Sequence, residues 1–477
     1  DNFMSADRER LPLSTVLTIK GTRGLERIIF DGRVYIPPQQ LQEFKPDSDY
    51  IQTDLKWGRE SLSHKNLFLR HLALLISARA ASNHVRKIRW AVSYPSSLSF
   101  REREVYFGTW SNIFTELQEK TGMDHELREG GYKTEALAIA QYLRGPGNQN
   151  LEYTACIDMG GGSSDISIWE ENELVHQCSV QLAGDLLFSQ FLKQKRHFIK
   201  NQFEIRVEVN DSSGSFDRRD PLNTKLDALL IAKGPDWLKT KRRQACGDGD
   251  LEYIIKFSML GIAGLYYYVG QILKGLALEG RYTRSINTHI FMGGNGSQIF
   301  NWLAPSGEFN PSCEAYRLLG RMLSQGSGFP DVDEGINLSQ RPKSEVAYGL
   351  TLDEHETQLI INDQDGDLFS GENYCVNGQQ FSETSRLCLD GEISSFEVPQ
   401  LSNLKEFVRL YRFAFEDLDI QGINPLEYPT DSIWSRVKRS VDGNCTIIRT
   451  RPIDEIRLEP PFIVGLKALL QEACKNQ

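Results

Sequence analysis

At 477 residues the chain is longer than one hydrophobic core usually serves, so two or more lobes are expected. Its 40% apolar and 25% charged content is ordinary for a soluble globular protein, and a net charge of −10 argues against general binding to nucleic acid. The most apolar segments, 67–81 and 262–278, are broken by Arg70 and His71 and by Gln271 and Lys274, so no membrane span or signal peptide is expected.

In chain order, short strands are expected over Val16–Lys20, Arg27–Phe30 and Val34–Ile36, with Asp31-Gly32 as a hairpin turn between the last two. A mostly buried helix follows over 64–84, carried by Leu67, Leu69, Leu72, Leu74, Leu75 and Ile76. Ile88–Tyr94 reads as a strand ended by Pro95, and Ser99 as the N-cap of a helix over Phe100–Thr121 that Gly122 closes. A further helix runs from Thr134 to Tyr142. Tyr153–Ile157, Ile166–Trp169 and Leu174–Val180 then form a three-stranded meander with Glu171-Asn172 at its second turn.

Gly184–Gln194 reads as helical, and the polar, irregular residues 196–248 as an inserted subdomain. Within them Lys239-Thr240-Lys241-Arg242-Arg243, the one basic run, reads as solvated surface. Asp250 is expected to cap a long helix whose apolar stripe runs from Leu251 to Leu276 and which Gly280 stops. The strand Thr288–Met292 leads into Gly293-Gly294-Asn295-Gly296-Ser297, and helical segments follow over 313–325 and from Ser344. Residues 356–477 hold strand-like pieces and a final helix, Pro461–Cys474. The eight cysteines are scattered with no C-x-x-C pair and the eight histidines show no zinc spacing, so a reducing cytoplasm is the expected setting.

The chemistry concentrates in Asp158-Met159-Gly160-Gly161-Gly162-Ser163-Ser164-Asp165, a strand, a glycine turn and a strand with an acid on either side. Consecutive glycines let the backbone approach a ligand closely, and their amides make a concave anion site. Carboxylates beside an anion site call for a metal ion between the charges, which points to a phosphate–Mg²⁺ site. A second glycine turn, at 293–296, also follows a strand, but it lacks the third glycine of a dinucleotide fingerprint. Gly131-Tyr132-Lys133-Thr134 is not a P-loop, because Tyr132 separates the glycine from the lysine.

Taken together, these segments resemble the superfamily of actin, sugar kinases and DnaK-type heat-shock chaperones. The family's second phosphate motif, D-x-G-G-G-[ST]-x-D, is similar to Asp158–Asp165, and its adenosine motif to His289–Ser297. Glu135-Ala136-Leu137-Ala138-Ile139-Ala140 resembles the start of its first connecting helix, and Glu345-Val346-Ala347-Tyr348-Gly349 the E-x-V-A-Y-G of the second. Ser93-Tyr94-Pro95 and Ala183-Gly184-Asp185 resemble lesser motifs of the chaperone branch. The resemblance covers about residues 10–350.

It implies an α/β, actin-like ATPase fold of two ribonuclease H-like lobes around a nucleotide cleft, each with an inserted subdomain. Lobe I would be 1–150, with a small insertion about 15–65; lobe II 151–343, with its insertion about 196–248. The connecting helix 344–355 would return to lobe I, leaving 356–477 as an unassigned extension partly packed on lobe I. The implied cofactors are ATP and Mg²⁺. Gly160, Gly161, Gly162 and Ser163 would hold the β- and γ-phosphates, Asp158 the metal through water, and Glu135 the attacking water. Asp165 and Gly184 would complete the phosphate turn, Gly293, Gly294, Asn295 and Ser297 would receive ribose and adenine, and Lys56 is the candidate catalytic lysine.

The family's first phosphate motif, D-x-G-[ST]-x-x-[ST], is absent, and Gln298 stands where the chaperones carry an arginine. Either the sequence is a piece of a longer chain, the favoured reading, or the leading hairpin has been lost. The expected function is ATP binding with slow hydrolysis that regulates a protein partner or self-association. The rivals are a small-molecule kinase of the sugar type and a catalytically degenerate actin-like scaffold or filament former.

Overall fold

The computed structural model describes residues 62–203, 236–245, 247–283, 288–330, 335–339, 344–352, 354–361, 367–389, 391–420 and 423–475, with short strands at 14–15, 17–20, 27–28, 35–36 and 51–52 and single positions at 55, 226 and 342. Lys56, the Asp31-Gly32 turn and the loop at 210–214 lie outside the described residues. Two compact units are present, one of residues 1–92, 102–133 and 193–237, the other of 93–101, 134–192 and 238–477.

The first unit is built on α1 (Leu62–Ser82), β1 (Lys87–Tyr94), α2 (Phe100–Thr121) and β2 (Asp124–Thr134), with β1 and β2 paired. Its core joins Ala73 of α1, Trp90 and Val92 of β1, and Trp110, Ile113, Phe114 and Leu117 of α2. Trp90 stacks on Phe114 with centroids 5.5 Å apart and donates its indole N–H to His125 Nδ1 at 3.1 Å. The strand β2 goes unforeseen because Asp124-His125-Glu126-Leu127-Arg128-Glu129-Gly130-Gly131 is poor in β-formers. Its inward His125, Leu127 and Tyr132 acquire a partner only when α2 and β1 are in place. Near the N-terminus, Arg27–Ile28 pairs with Leu17–Lys20, and Tyr35–Ile36 with Ser14–Thr15. Strands expected to pair with each other through a hairpin thus have other partners.

The second unit contains α3 (Glu135–Arg144) and a five-stranded sheet of β3 (Tyr153–Met159), β4 (Ser164–Glu170), β5 (Glu173–Val180), β6 (His289–Gly293) and β7 (Ile336–Leu338). The order is β5-β4-β3-β6-β7, with β4 antiparallel to both neighbours and β3, β6 and β7 mutually parallel. That is the ribonuclease H-like order. The parallel pairs require crossovers, which α4 (Gly249–Leu278) supplies before β6 and α5 (Glu314–Ser327) before β7. On one face α3 sets Leu137, Ile139 and Ala140 against Cys156, Trp169 and Leu174. It crosses α6 (Ser344–Thr351) so closely that a Cβ on Gly349 would lie 1.7 Å from the Ala138 carbonyl oxygen.

The helix α4 begins two residues earlier than expected, because Asp248 is the N-cap and its side chain accepts from the Asp250 amide at 2.9 Å. Nearly every apolar residue from Leu251 to Leu276 is buried, so the helix is covered all round. Part of that cover is the C-terminal extension: a small sheet of β8 (Tyr374–Val376), β9 (Gln379–Phe381) and β10 (Phe396–Glu397), then α7 (Ser402–Asp417), α8 (Asp431–Thr450) and α9 (Pro461–Cys474). Tyr253, Tyr267 and Tyr268 of α4 donate to the Cys474 carbonyl, Asn403 Oδ1 and the Phe369 carbonyl at 2.9, 2.7 and 2.8 Å. Partial packing of this extension on lobe I is expected from sequence; in the structure α7 and α9 lie on α4, α7 also on α5, and within the expected lobe I Leu359 packs with Leu137 and Ile139 of α3 and Arg101 pairs with Glu455.

At the start of α7 the fully buried Glu372 accepts from the amides of Asn403 and Leu404 at 3.1 and 2.6 Å. Burial nevertheless pushes its carboxyl up to about 8. Among the described residues no helix is long and apolar enough to cross a membrane.

Two consequences can be measured. Replacing Gly349 with Ala should cost about 2 kcal/mol or more in a denaturant titration, since backbone cannot yield to the added methyl without parting α3 from α6. Because the folded-state carboxyl of Glu372 is raised, its contribution to stability is full below about pH 4.5 and is lost as pH rises toward 8. Replacing Glu372 with Gln should flatten the fall in stability across that window, by about 1.4 kcal/mol per pH unit at most.

Candidate functional site

The site begins with strand register. In the parallel pair β3–β6, Gly293 stands opposite Asp158, and in the antiparallel pair β3–β4, Asp158 stands opposite Asp165. Both glycine turns therefore leave the sheet at the same level, at the carboxyl ends of adjacent parallel strands. This is where open α/β sheets place ligands. The turns touch: a Cβ on Gly296 would lie 2.4 Å from the Gly160 carbonyl oxygen, and one on Gly294 2.1 Å from Asp158 Oδ1. Gly294 has φ +73°, so glycine is required there by conformation as well as by space.

The phosphate-type turn is closed by the Gly160 amide donating to the Ser163 carbonyl at 2.9 Å. A third segment braces it from behind, with the amides of Gly184 and Asp185 donating to the Gly160 and Gly161 carbonyls at 3.1 and 2.8 Å. That brace opens a π-helical turn, Asp185–Ser189, where a plain α-helix is expected; its wide winding is often found at functional positions. Among the described residues, no acceptor is bonded to the Gly161 or Gly162 amide. Two donors are thus left facing the cradle, as an anion requires.

Asp165 has a different task from Asp158. Fully buried, it accepts from the Ser96 amide at 3.3 Å through Oδ1 and from the Ser163 hydroxyl at 3.1 Å through Oδ2. It therefore anchors the turn to the Pro95 loop, and the Ser163 hydroxyl proton is directed to Asp165. Ser297 is likewise internal: its hydroxyl and amide both donate to the Gly294 carbonyl, at 2.8 and 3.1 Å, starting a short 3₁₀ turn with Asn295.

Glu135, half-buried, opens α3 behind the N-cap Thr134, whose hydroxyl accepts from the Leu137 amide and donates to Gln177 at 2.8 Å. Gln177 pairs with Ser167, which pairs with Cys156, two residues before Asp158 along β3. Alternation along the strand therefore puts the start of α3 on the sheet face that carries Asp158. Lys56 cannot be placed relative to these groups, lying outside the described residues.

Two further acids lie at the turn, each inside a motif quoted above but given no role there. Asp185 Oδ1 lies 3.4 Å from where a Cβ on Gly161 would stand. Glu345, the second residue of α6, is only 3% exposed, and its Oε2 would be 2.7 Å from a Cβ on Gly293. Burial, with the nearby charge of Asp158, pushes the Glu345 carboxyl up to about 7 against the hydrogen bonds from Ser339 and the Gly294 amide. The sequence signal for each was its place in a motif segment, Ala183–Asp185 or Glu345–Gly349. Among the described residues, no group of three or more His, Cys, Asp or Glu is arranged to hold a metal ion by itself.

No protein-family model and no curated protein matches this chain. Among solved structures, the ethanolamine utilization protein EutJ from Carboxydothermus hydrogenoformans aligns over 60% of this chain and 72% of its own, at 12% identity and TM-score 0.31. MreB5 of Spiroplasma citri bound to ADP aligns over 41% of this chain at 16% identity and TM-score 0.28, and the chain spans about half (51%) of that protein's length. The ROK hexokinase from Thermus thermophilus aligns over 63% of this chain and 88% of its own, at 13% identity and TM-score 0.30. At TM-scores of 0.28–0.31 these likenesses carry no further argument. The sheet order, with a glycine turn at the end of each of two adjacent parallel strands, is the ribonuclease H-like arrangement that the sequence resemblance implies.

Replacing Gly294 with Ala is expected to force the Asp158 carboxylate aside and to strain a left-handed residue, costing about 1–2 kcal/mol from backbone conformation alone. Thermal denaturation would report that loss, and a nucleotide-binding titration the displacement of Asp158.

Proposed function

We propose that this chain binds ATP with Mg²⁺ and hydrolyses it slowly, with lobe opening and closing used to regulate a protein partner. The observation that carries the reading is the register of β3 and β6. It brings the phosphate-type turn and the adenosine-type turn into contact at one sheet edge, with Asp158 between them. A nucleotide is a ligand with an anionic end and an apolar, hydrogen-bonding end, and two backbone turns of different kind suit it.

Residue roles follow from chemistry and position. The amides of Gly161 and Gly162 donate to phosphate oxygens, and Asp165 and the Gly184 brace keep the turn in shape. Asp158 takes Mg²⁺ through water; the ion, when bound, neutralises phosphate charge, which together with positioning is most of what phosphoryl transfer asks of a protein. Glu135 orients the attacking water from the start of α3. Gly293, Gly294 and Asn295 receive the nucleoside end.

A second reading, an actin-like scaffold that binds the nucleotide without hydrolysing it, has one observation in its favour. The hydroxyls of Ser163 and Ser297 are both directed to groups of the protein itself.

Replacing Asp158 with Ala should abolish the Mg²⁺ dependence of ATP binding and lower phosphate release by about 10²-fold, the scale of one lost electrostatic group. Replacing Glu135 with Ala should leave binding within a few-fold and remove most of the hydrolysis. Phosphate release that survives the Asp158 change would sink the site assignment. Wild-type protein that binds Mg·ATP but releases no phosphate would assign the scaffold reading.

A further inference from the structure

Behind the phosphate-type turn, one buried acid joins the bracing segment to the C-terminal extension. Glu459 stands in the loop before α9 and is 6% exposed. Its Oε1 accepts from the backbone amide of Gln181 at 2.6 Å, and its Oε2 is paired with Lys467 of α9. Both oxygens are matched, and the bond to the amide is charge-assisted, the stronger kind. A carboxylate just before a helix ordinarily serves that helix's own first amides. This one reaches a segment 278 residues back along the chain.

The segment it reaches is the one that braces the glycine turn. Gln181 follows directly on β5 and lies three residues before Gly184. The amides of Gly184 and Asp185 hold the Gly160 and Gly161 carbonyls, and the Leu182 carbonyl accepts from the Ser164 hydroxyl at 2.7 Å, at the start of β4. Three residues span about 10 Å at most, so Gln181 cannot move far without drawing Gly184 after it. A second contact sets α9 beside the same brace. At Gly261 of α4, an added Cβ would lie 2.4 Å from Leu187 of the π-helical turn and 3.1 Å from Leu470 of α9.

We propose that Glu459 is a positioning residue for the nucleotide site. It fastens the C-terminal extension to the brace at 181–185, so that the glycine turn keeps its phosphate-receiving shape only with the extension in place. The proposal rests on the nucleotide reading above and deepens it, giving the extension a part in the site. It requires one acceptor, on Glu459, for one donor, the Gln181 N–H.

The test measures amide hydrogen exchange over 181–189 without nucleotide, and Mg·ATP affinity by titration of the same samples. Glu459→Leu fills a similar volume without an acceptor. It should speed exchange over 181–189 by about tenfold. With the turn in its receiving shape about a tenth of the time, Mg·ATP binding should weaken by about tenfold. Glu459→Gln retains a side-chain oxygen for the Gln181 amide and should keep both quantities within about threefold of wild type. Tyr267→Phe deletes a different bond to the extension, the one to Asn403 Oδ1, and should change neither by more than about twofold. If Glu459→Leu does not fold, Glu459→Ala carries the same comparison. Unchanged exchange in an acceptor-less variant overturns the proposal, and so does faster exchange with Mg·ATP binding intact. A Glu459→Gln protein that behaves like Glu459→Leu overturns it too. So does a Tyr267→Phe protein equally impaired, because any loosening of the extension would then suffice. Wild-type protein that binds no Mg·ATP overturns the nucleotide reading, while the exchange comparison, made without nucleotide, still decides whether Glu459 holds the brace.

Discussion

The parallel pairing of β3 with β6 is the constraint on which the site depends. Hydrogen-bonded strands lie about 4.8 Å apart, so a turn at the end of one must accommodate a turn at the end of the other. With Gly293 level with Asp158, there is room between the turns only for backbone. Gly294 and Gly296 are required at that point because the Asp158 carboxylate and the Gly160 carbonyl occupy the volume their side chains would fill. A one-residue slip would turn Asp158 to the opposite face and leave the acids and the cradle on different sides of the sheet.

The long helix α4 imposes a second constraint. Being apolar round its circumference, it cannot leave any face to water without losing about 25 cal/mol per Å² of exposed apolar surface. The ribonuclease H-like sheet and α5 cover only part of it. The extension 367–475 supplies further cover, and three of the four tyrosine hydroxyls of α4, those of Tyr253, Tyr267 and Tyr268, find their acceptors in that extension. The extension is therefore integral to the second unit's core.

The acids at the site divide by environment. Asp165 is fully buried and accepts from two groups, so it fixes the loop. Asp158 instead faces Gly294, with Oδ1 in the volume a side chain there would fill. Glu345 is buried beside Gly293 with one oxygen unmatched, and burial pushes its carboxyl up to about 7.

Taken by itself, the amino-acid sequence determined the fold class, the α4 stripe, the strand–turn–strand around Gly160–Gly162 and the second glycine turn, because these are local: periodicity and glycine placement speak through neighbours a few residues away. What tertiary structure decided is non-local. The strand β2 exists because Trp90 and Phe114 cover its inward side chains. The division of labour between Asp158 and Asp165, identical in residue type and seven positions apart, follows from the loop at Ser96 reaching one and Gly294 the other. The burial of Glu345 could not be read from its motif, since Gly293, against which it lies, belongs to a segment some fifty residues away, and only folding brings the two together.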